Sequence, residues 1–473
     1  MGLGLHGGGL QSAGFLLKRG AEITVTDLRD ETTLAPSIEQ LDKICRDFEK
    51  PPVRYVLGKH EIDDFKNADI VIKNPGVKPD SPFLQASKQT ETDISLFLNE
   101  SKARLFAVTG SKGKSGTASS LHWILSKDRK KGKAYLGGNI TVSPLTFLDE
   151  LNENDDVVLE LSSFQLGDIK NRLNDNGNAL LKPAAALLTA IMPDHLDRYA
   201  SMDEYIDDKR NIYRGQDKTC ITVAGDDEWG KSFCAQTNAR ALVWSQSRLK
   251  EGQSGGWIDS NGAGVSLLYN FERIPEKITE LVPQKILVPG SHQKLNMLCA
   301  ALSVFALGAQ EQTIRGALSE FRGIEHRIEF FHEAKGVKFY NDSAATIPQA
   351  ACACIEALTE NDKKLVIVTG GTDKNLDYTA LAKTAAKAKS VILLAGTGSD
   401  KLSRLLEKEG IPFLGPFDIL EKAVSCAIEK AQSQKEGEND CCVALSPGCA
   451  SFGMFLNEFD RGRKWKEAVI KLA

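Results

Sequence analysis

The chain has 473 residues, of which 42% are hydrophobic and 26% charged, and this length predicts two or three domains that each bury an ordinary core. A balance of 59 basic and 63 acidic residues gives a net charge of −4, which offers no support for a nucleic-acid or membrane-surface partner. The ten cysteines are scattered and lack metal-site or redox-motif spacing. The sequence has no apolar run near the length of a membrane span and no secretion-signal pattern. We therefore expect a cytoplasmic protein with reduced thiols.

The first segment has a glycine pattern typical of nucleotide-binding folds. Residues 2–7 read Gly-Leu-Gly-Leu-His-Gly, a helical pattern follows, and the strand-like residues 21–27 end in an aspartate. This order is the Rossmann arrangement for binding a ribose, with a plain tight turn as the alternative interpretation. A strand should precede the glycines and almost nothing does, so we expect a first strand to be missing and the pocket to be weakened. A second turn at residues 73–76 follows another strand, and a nucleotide-binding domain is predicted over residues 1–93.

The central segment carries a predicted phosphate-binding loop. The strand-like residues 104–109 lead into Gly-Ser-Lys-Gly-Lys-Ser at 110–115, and helical spacing follows from 118 to 125. In such a turn, backbone N–H groups and a helix N-terminus converge on an anion, Lys114 supplies charge to the phosphates, and Ser115 offers a hydroxyl to Mg²⁺. This is a shorter form than the general Walker pattern. The flanking strand and helix disfavour the alternative of a solvated surface loop.

Three further polar residues follow in the central segment. Residues 156–160 read as a buried strand ending in Glu160, where a Mg²⁺ ligand is needed beside the phosphates, although a capping or surface glutamate is the alternative. A strand predicted over 184–192 leads to His195, for which a functional role is favoured because it lies among carboxylates. Lys209 lies on a predicted helix, and its own pattern predicts a solvated side chain or one that extends to the surface.

The rest of the chain predicts a second long helix and a third α/β unit. Residues 220–281 are strand-like and indicate no function, and Asn296 lies near the start of an alanine-rich helix, either facing a nucleotide or capping the helix. Beyond a boundary near 321–323, four apolar strands each lead into a loop of small residues, at 339–346, 365–374, 391–396 and 443–451. The sequence therefore predicts an α/β fold with three domains. They are a Rossmann-like domain at 1–93, a central P-loop mononucleotide-binding domain at 94–323 and a Rossmann-like domain at 324–473.

These motifs together resemble the Mur ligase family of ATP-dependent amide-forming enzymes in cell-wall synthesis. The resemblance covers nearly the whole chain, and its most specific segments are residues 110–115, 159–165, 194–199, 326–327, 341–343 and 445–451. The Ser-Ser-Phe-Gln and Ser-Pro-x-x-Ala-Ser stretches favour the members that add D-glutamate. The resemblance implies that ATP phosphorylates the free carboxylate of UDP-N-acetylmuramoyl-L-alanine (UDP-MurNAc-L-Ala), and that the amine of D-glutamate then attacks the acyl phosphate.

The resemblance also implies roles for individual residues. It places ATP at Gly110, Ser111, Lys112, Gly113, Lys114, Ser115, Gly116, Asn296, Arg327 and Asp342. It places two Mg²⁺ ions at Ser115, Glu160, His195 and Lys209. Lys209 would be a carbamate, because an ammonium is repelled by Mg²⁺ whereas an anionic carbamate can ligate it. It places the UDP substrate at Leu5, His6, Asp27, Arg29, Asn74, Asn139, Ser162 and Gln165, and D-glutamate at Thr346, Lys374, Ser451 and Phe459. The implied catalytic set is Lys114, Glu160, His195, Lys209 and Arg327.

Two residues depart from the family pattern. Gly116 stands where the family usually has a second hydroxyl residue, and Ala344 replaces a lysine common after Asn-Asp-Ser. We therefore expect weaker metal or phosphate contacts and one fewer cation near the acyl phosphate. The partners implied are small-molecule substrates, with no nucleic acid and no membrane, and a monomer is expected.

Several alternatives stay open at this point. L-glutamate or another amino acid could be the acceptor, because stereochemistry depends on the shape of a pocket. A sibling Mur ligase or a folylpolyglutamate synthase-like protein would share the three-domain plan. The N-terminal glycines and Asp27 suggest a nicotinamide-dependent oxidoreductase, which leaves the loop at 110–115 unexplained. The departures at Gly116 and Ala344 suggest a catalytically silent nucleotide-binding regulator.

Overall fold

The computed structural model describes residues 1–4, 8–128, 132–140, 142–271, 274–360, 363–434 and 441–473. The chain forms two compact units, one of residues 1–284 and 295–318 and the other of residues 285–294 and 319–473. The domain limits predicted at residues 93 and 323 stay a prediction.

The N-terminal part of the first unit alternates short strands and helices. They are α1 (Gly8–Lys18), β1 (Thr24–Asp27), α2 (Glu31–Asp47), β2 (Arg54–Leu57), α3 (Ile62–Asn67), β3 (Val71–Ile72), α4 (Pro82–Gln85), β4 (Thr90–Glu91) and α5 (Asp93–Glu100). β1 pairs in parallel with β2, and β3 pairs in parallel with β4.

Residues 1–4 lie between these two pairs of strands. The amide of Gly2 donates to the carbonyl of Thr26 in β1 (2.8 Å), and the amide of Asn74, just after β3, donates to the carbonyl of Met1 (3.0 Å). This segment therefore lies where a Rossmann-like sheet has its first strand, although it is not itself a regular strand.

The central part of the first unit is built on one nine-stranded sheet. Its elements are β5 (Arg104–Thr109), α6 (Lys114–Lys127), β6 (Ala134–Gly138), β7 (Asp156–Glu160), α7 (Ser163–Asp168), β8 (Ala185–Leu188), α8 (Met202–Arg214), β9 (Ile221–Gly225), α9 (Glu228–Gln236), β10 (Arg240–Ser245), β11 (Gly255–Ile258), β12 (Gly264–Leu267), β13 (Thr279–Val282), α10 (Ser291–Ala306) and α11 (Glu311–Glu320). The strand order is β13-β12-β11-β10-β9-β8-β5-β7-β6, with β12 antiparallel to β11 and β13 and the remaining pairs parallel. Because β8, β5 and β7 are parallel neighbours, the segments that follow them meet at one edge of the sheet.

Apolar runs explain why these central strands form. Val157, Val158 and Leu159 of β7 have no exposed surface, and burial on both faces is typical of a parallel sheet covered by helices. The strand predicted over 184–192 is shorter than expected and ends at Leu188. Beyond it the chain turns to contact the loop at 110–113, because the carbonyl of Ala190 accepts hydrogen bonds from two amides of that loop.

The second unit contains a six-stranded sheet with helices on both faces. Its elements are β14 (Glu329–Ala334), β15 (Val337–Asn341), α12 (Pro348–Thr359), β16 (Lys364–Thr369), α13 (Thr379–Ala385), β17 (Ser390–Leu394), α14 (Thr397–Lys408), β18 (Phe413–Phe417), α15 (Leu420–Gln434), β19 (Cys441–Leu445) and α16 (Glu458–Leu472). The order is β14-β15-β19-β16-β17-β18, in which β14 is antiparallel to β15 and the other pairs are parallel. The segments after β15, β16 and β19 therefore meet at one edge of the sheet. With parallel strands and alternating helices in both units, the predicted α/β fold class is confirmed.

Candidate active site

The loop between β5 and α6 has the backbone of a phosphate-binding turn. Gly113 has φ of +90° and precedes the first residue of α6, Lys114. A Cβ atom on Gly113 would lie 2.5 Å from Oδ1 of Asn296, and one on Gly110 would lie 1.9 Å from Oγ1 of Thr189. Both positions therefore require glycine, and Asn296 lies beside the loop. Its contact with a nucleotide stays a prediction. Asn296 is the sixth residue of α10 rather than its cap, so the capping interpretation is wrong.

Contacts from the segment after β8 fix the shape of this loop. The amides of Ser111 and Lys112 donate to the carbonyl of Ala190 at 2.9 and 3.3 Å, and Oγ1 of Thr189 donates to the carbonyl of Lys112 at 2.6 Å. Oγ of Ser111 also lies 2.8 Å from the hydroxyl of Tyr205 in α8. These bonds turn two loop amides inward, so the amides in the first turn of α6 are the ones left to face an anion.

Two lysine side chains meet at one carbonyl of the loop. Nζ of Lys114 donates to the carbonyls of Gly110 (3.0 Å) and Ser111 (3.1 Å), and Nζ of Lys209 donates to Gly110 at 3.0 Å. The prediction that Lys209 is solvated is wrong, since it is 1% exposed and packs over the ring of Tyr205. Burial, with the neighbouring charge of Lys114, lowers the pKa of Lys209 to about 7. A large fraction of Lys209 is thus a neutral amine at neutral pH.

Glu160, at the end of β7, has an unsatisfied oxygen. The residue is 2% exposed, so the surface-glutamate interpretation is wrong. Its Oε1 accepts a hydrogen bond from Nδ2 of Asn139 at 2.9 Å, whereas Oε2 is buried and without a hydrogen-bond partner among the described residues. A buried carboxylate oxygen without a partner is costly, and a divalent cation would satisfy it. Burial lowers the pKa of Lys114, and the negative charge of Glu160 opposes this shift.

His195 lies in the segment after β8, but it is much more exposed than Glu160. Its backbone has φ of +54°, and its side chain is 45% exposed. The ring packs 4.8 Å from the ring of Phe164, and Nε2 lies 3.8 Å from a carboxylate oxygen of Asp194. The proposed metal ligands belong to segments that meet at one edge of the sheet. Glu160 ends β7, Ser115 lies in α6 after β5, and His195 and Lys209 both come after β8.

The predicted UDP-substrate residues fall into two groups. Leu5 and His6 lie outside the described residues. The carboxylate of Asp27 accepts hydrogen bonds from the amides of Gly4 (3.1 Å) and Arg29 (3.0 Å). Oδ1 of Asn74 accepts from the amide of Gly76 at 3.0 Å, and a Cβ on Gly2 would lie 2.9 Å from Cβ of Asn74. Asp27 and Asn74 therefore contact residues 1–4, and the backbone of Arg29 bonds to Asp27.

Ser162 and Gln165 hold the first turn of α7. The amide and hydroxyl of Ser162 donate to Oε1 of Gln165 at 3.0 Å each, and the amide of Gln165 donates back to Oγ of Ser162 at 3.2 Å. This reciprocal capping box fixes the start of α7. Their role toward the UDP substrate stays a prediction.

In the second unit, the predicted residues lie on loops at one edge of the sheet, except for Phe459, which lies in the first turn of α16. Asp342 follows β15 and is buried, with Oδ1 accepting from the amide of Ile328 (3.1 Å) and Oδ2 from the hydroxyl of Ser446 (2.6 Å). Burial raises the pKa of Asp342 to about 7. Arg327 is exposed. Of the four residues assigned to D-glutamate, Ser451 is buried, Thr346 is half-buried, and Lys374 and Phe459 are exposed.

The sequence reasoning missed Arg461, which connects these loops. Arg461 is 1% exposed and donates to the hydroxyl and carbonyl of Ser343 (3.0 and 2.9 Å) and to the carbonyl of Cys449 (3.2 Å). Burial lowers its pKa to about 10. Its spacing with the buried residues Trp465, Ala468 and Val469 places it on the core face of α16, and this helical period was the available signal.

A cluster of two glutamates and a histidine near the start of β14 is paired with a lysine. Ligand atoms of Glu325, His326 and Glu329 lie within 4.8 Å of one another. Nζ of Lys466 already pairs with Glu325 (3.0 Å) and Glu329 (2.9 Å), so part of the negative charge of this cluster is neutralised within the protein.

Three family models match the chain. They describe a "Mur ligase MurD-like, N-terminal domain" at residues 1–95, a "Mur ligase middle domain" at 108–304 and a "Mur ligase, glutamate ligase domain" at 326–446. Proteins named "UDP-N-acetylmuramoylalanine--D-glutamate ligase" are similar along the full length. The one from Treponema pallidum is 37% identical, covering 99% of this chain and 96% of that protein. The one from Borreliella burgdorferi strain B31 is 38% identical, covering 100% and 97%.

Solved structures share the fold at lower identity. UDP-N-acetylmuramate-alanine ligase MurC from Thermotoga maritima is 20% identical with a TM-score of 0.55, covering 99% of this chain and 98% of that chain. MurF ligase from Thermotoga maritima in complex with ADP is 16% identical with a TM-score of 0.51, covering 96% and 97%. No helix among the described residues is long and apolar enough to cross a membrane.

Proposed function

The chain belongs to the Mur ligase family, and on that premise we propose that it is the ATP-dependent ligase that adds D-glutamate to UDP-MurNAc-L-Ala in peptidoglycan precursor synthesis. Relatives with this activity in their name match this chain almost end to end. The observation that carries the proposal is that Lys114 and Lys209 both donate to Gly110 in the loop at 110–113, while Glu160, which has an unsatisfied buried oxygen, acts electrostatically on Lys114. Phosphoryl transfer to a carboxylate requires such a set of groups to neutralise charge.

The reaction has two steps, and the protein's main task is positioning. The γ-phosphoryl group of ATP passes to the carboxylate of the L-alanyl group, which yields an acyl phosphate and ADP. The amine of D-glutamate then attacks the carbonyl carbon, loses a proton, and expels inorganic phosphate. Amides in the first turn of α6 and the ammonium of Lys114 bind the ATP phosphates and stabilise the charge that develops on them.

Mg²⁺ fits the residues at this edge. Glu160 offers a buried oxygen without a partner, Ser115 offers a hydroxyl in the first turn of α6, and His195 offers a ring nitrogen. Carboxylate and hydroxyl oxygens are the ligands that Mg²⁺ prefers. When bound, Mg²⁺ would neutralise charge on the transferring phosphoryl group.

The environment of Lys209 suits carbamate formation. CO₂ reacts with a neutral amine, and burial keeps much of Lys209 neutral because its pKa falls to about 7. Addition of CO₂ to the neutral amine, with loss of one proton, would produce a buried anionic carbamate. An anion at this place would relieve the repulsion from Lys114 and could serve as a metal ligand.

The amino-acid acceptor is assigned to the second unit. A dicarboxylate requires cations and hydroxyl groups, and Lys374, Thr346 and Ser451 supply them on neighbouring loops. Phe459 stays in this set as a prediction, and Arg327 and Asp342 stay assigned to the nucleotide on the sequence resemblance. The chain is proposed to act as a cytoplasmic monomer. All ten cysteines are free thiols, which agrees with a reducing compartment.

The other interpretations are less well supported. A nicotinamide-dependent oxidoreductase does not account for the loop at 110–115, and sibling ligases are not the names carried by these full-length relatives. A silent homologue is the informative competitor, because Gly116 and Ala344 remove two polar groups common in the family.

Phosphate release tests the proposal. Purified protein with ATP, Mg²⁺ and UDP-MurNAc-L-Ala is expected to release phosphate when D-glutamate is added, and Lys114→Met is expected to abolish the release. The matched substitution Lys231→Met, at an exposed lysine in α9, should leave it unchanged. A folded protein that binds ATP but releases no phosphate with D-glutamate would contradict the proposal and favour the silent homologue.

A further inference from the structure

The turn that follows β3 is attached to the central part of the first unit by two side chains. Nη1 of Arg198 donates to the carbonyls of Pro75 (3.2 Å) and Gly76 (3.1 Å), and Nη2 donates to the carbonyl of Val77 (3.3 Å). On the other side of the turn, Nζ of Lys73 pairs with Asp168 at 2.5 Å. These contacts leave little freedom for the turn to move relative to the nine-stranded sheet.

Helix α7 supplies one side chain to each of these two attachments of the turn. Phe164 and Asp168 are four residues apart, so they lie on the same face of the helix. The guanidinium of Arg198 stacks 3.8 Å from the ring centroid of Phe164, while Asp168 holds Lys73. The Lys73–Asp168 pair is almost fully buried, with side chains 3% and 6% exposed. Removing one partner of a buried pair is strongly destabilising, which makes Arg198 the more informative position to change.

The same contacts reach the candidate metal ligand His195. The ring of Phe164 lies 4.8 Å from the ring of His195, and the amide of Arg198 donates to the carbonyl of His195 at 2.9 Å. A continuous series of contacts therefore runs from the turn at 75–77 through Arg198 and Phe164 to His195.

We propose that Arg198 is a positioning residue, which holds the turn at 73–77 in the geometry that binds the UDP substrate and couples that binding to the segment carrying His195. The inference rests on the proposed function, because it takes Asn74 in this turn as a contact of the UDP substrate. A guanidinium suits this task, since its planar fork can donate to several carbonyls at once, whereas an ammonium cannot match that geometry.

The test compares Arg198→Met, Arg198→Lys and a matched control, Arg19→Met. Arg19 also joins the two parts of the first unit, through ion pairs with Glu100 and Asp149, but these pairs are exposed and lie away from the turn at 73–77. Binding of UDP-MurNAc-L-Ala and binding of a non-hydrolysable ATP analogue are each measured by calorimetry in the full-length protein.

We expect Arg198→Met to weaken UDP-MurNAc-L-Ala binding by about tenfold or more, because three charge-assisted hydrogen bonds are lost. Binding of the ATP analogue alone should change by less than about twofold, since the loop at 110–113 has its own supports. The affinity of Arg198→Lys for the UDP substrate should lie between those of the wild type and Arg198→Met, and Arg19→Met should resemble the wild type, because no buried charge loses its partner. In the wild type the UDP substrate should alter the affinity for the ATP analogue, and this coupling should disappear in Arg198→Met.

Three results would overturn the inference. The first is wild-type affinity for the UDP substrate in Arg198→Met. The second is an equal loss in Arg19→Met, which would indicate only general attachment of the N-terminal part. The third is an equal loss for both ligands in Arg198→Met with a lower melting temperature. Failure of the wild type to bind UDP-MurNAc-L-Ala at all would instead refute the proposed function, and this inference with it.

Discussion

Replacing Lys209 with methionine is predicted to stabilise the ligand-free protein at neutral pH. Lys209 is buried without an ion pair among the described residues, and its pKa falls from 10.5 to about 7, which corresponds to about 5 kcal/mol at 1.36 kcal/mol per unit. Methionine removes this cost but loses the hydrogen bond to Gly110 and the packing of charge over Tyr205, together worth about 2 kcal/mol. The expected net gain at pH 7 is about 3 kcal/mol.

The pH dependence follows from the direction of the pKa shift. Between pH 7 and 10.5 the unfolded chain binds a proton at Lys209 that the folded chain does not, so wild-type stability rises with pH over this window. Lys209→Met lacks this group, and its advantage should therefore shrink as the pH rises and should vanish by about pH 10.

Urea unfolding in CO₂-free buffer at pH 7 and pH 10 measures the effect, with Lys231→Met as an exposed-lysine control. Tryptophan fluorescence suits the assay, because four of the five tryptophans lie within residues 1–284. A variant that is less stable than wild type at pH 7, or equally stabilised at both pH values, would refute the reasoning.

Three further substitutions test other contacts of the candidate site. Thr189→Val should weaken ATP-analogue binding by about tenfold, because the carbonyl of Lys112 loses its hydrogen-bond donor. Thr189→Ser, which keeps the hydroxyl, should bind the analogue like the wild type. Thr222→Val, a buried control away from the loop, should leave the affinity unchanged. Glu160→Gln should raise the Mg²⁺ concentration for half-maximal rate by about tenfold or more, and an unchanged Mg²⁺ dependence would exclude this carboxylate as a ligand. Arg461→Met should raise the KM for the amino acid by about tenfold with little change in the KM for ATP. The control Arg463→Met, at an exposed arginine, should alter neither KM. Equal changes in both KM values of Arg461→Met would indicate a general loss of folding.

Local patterns sufficed to predict the frame of the candidate site. The apolar run at 104–109, the glycines and the helical spacing after them specify a strand, a turn and a helix without reference to distant residues. The buried run before Glu160 likewise places its carboxylate at the end of a strand, because strands of a parallel sheet are apolar on both faces. Both features are present where the sequence predicted them.

Burial and side-chain partners depend on distant segments and were harder to predict. Lys209 lies one helical turn from Tyr205 and Tyr213, but a lysine in such a position usually extends to solvent. Its burial follows from packing against the carbonyl of Gly110, almost a hundred residues earlier. Thr189 was read as part of a strand, whereas its hydroxyl supports the loop at 110–113. Arg461 carries a helical core pattern, but the loops it connects are more than ten and more than a hundred residues away in sequence.

The identity of the product tests the central claim most directly. Protein incubated with ATP, Mg²⁺, UDP-MurNAc-L-Ala and an equal mixture of D-glutamate and isotopically labelled L-glutamate is analysed by mass spectrometry. The proposed function predicts one new UDP-linked product whose mass corresponds to the addition of unlabelled D-glutamate. A product that carries the L-glutamate label, or ATP hydrolysis without any amide product, would contradict it.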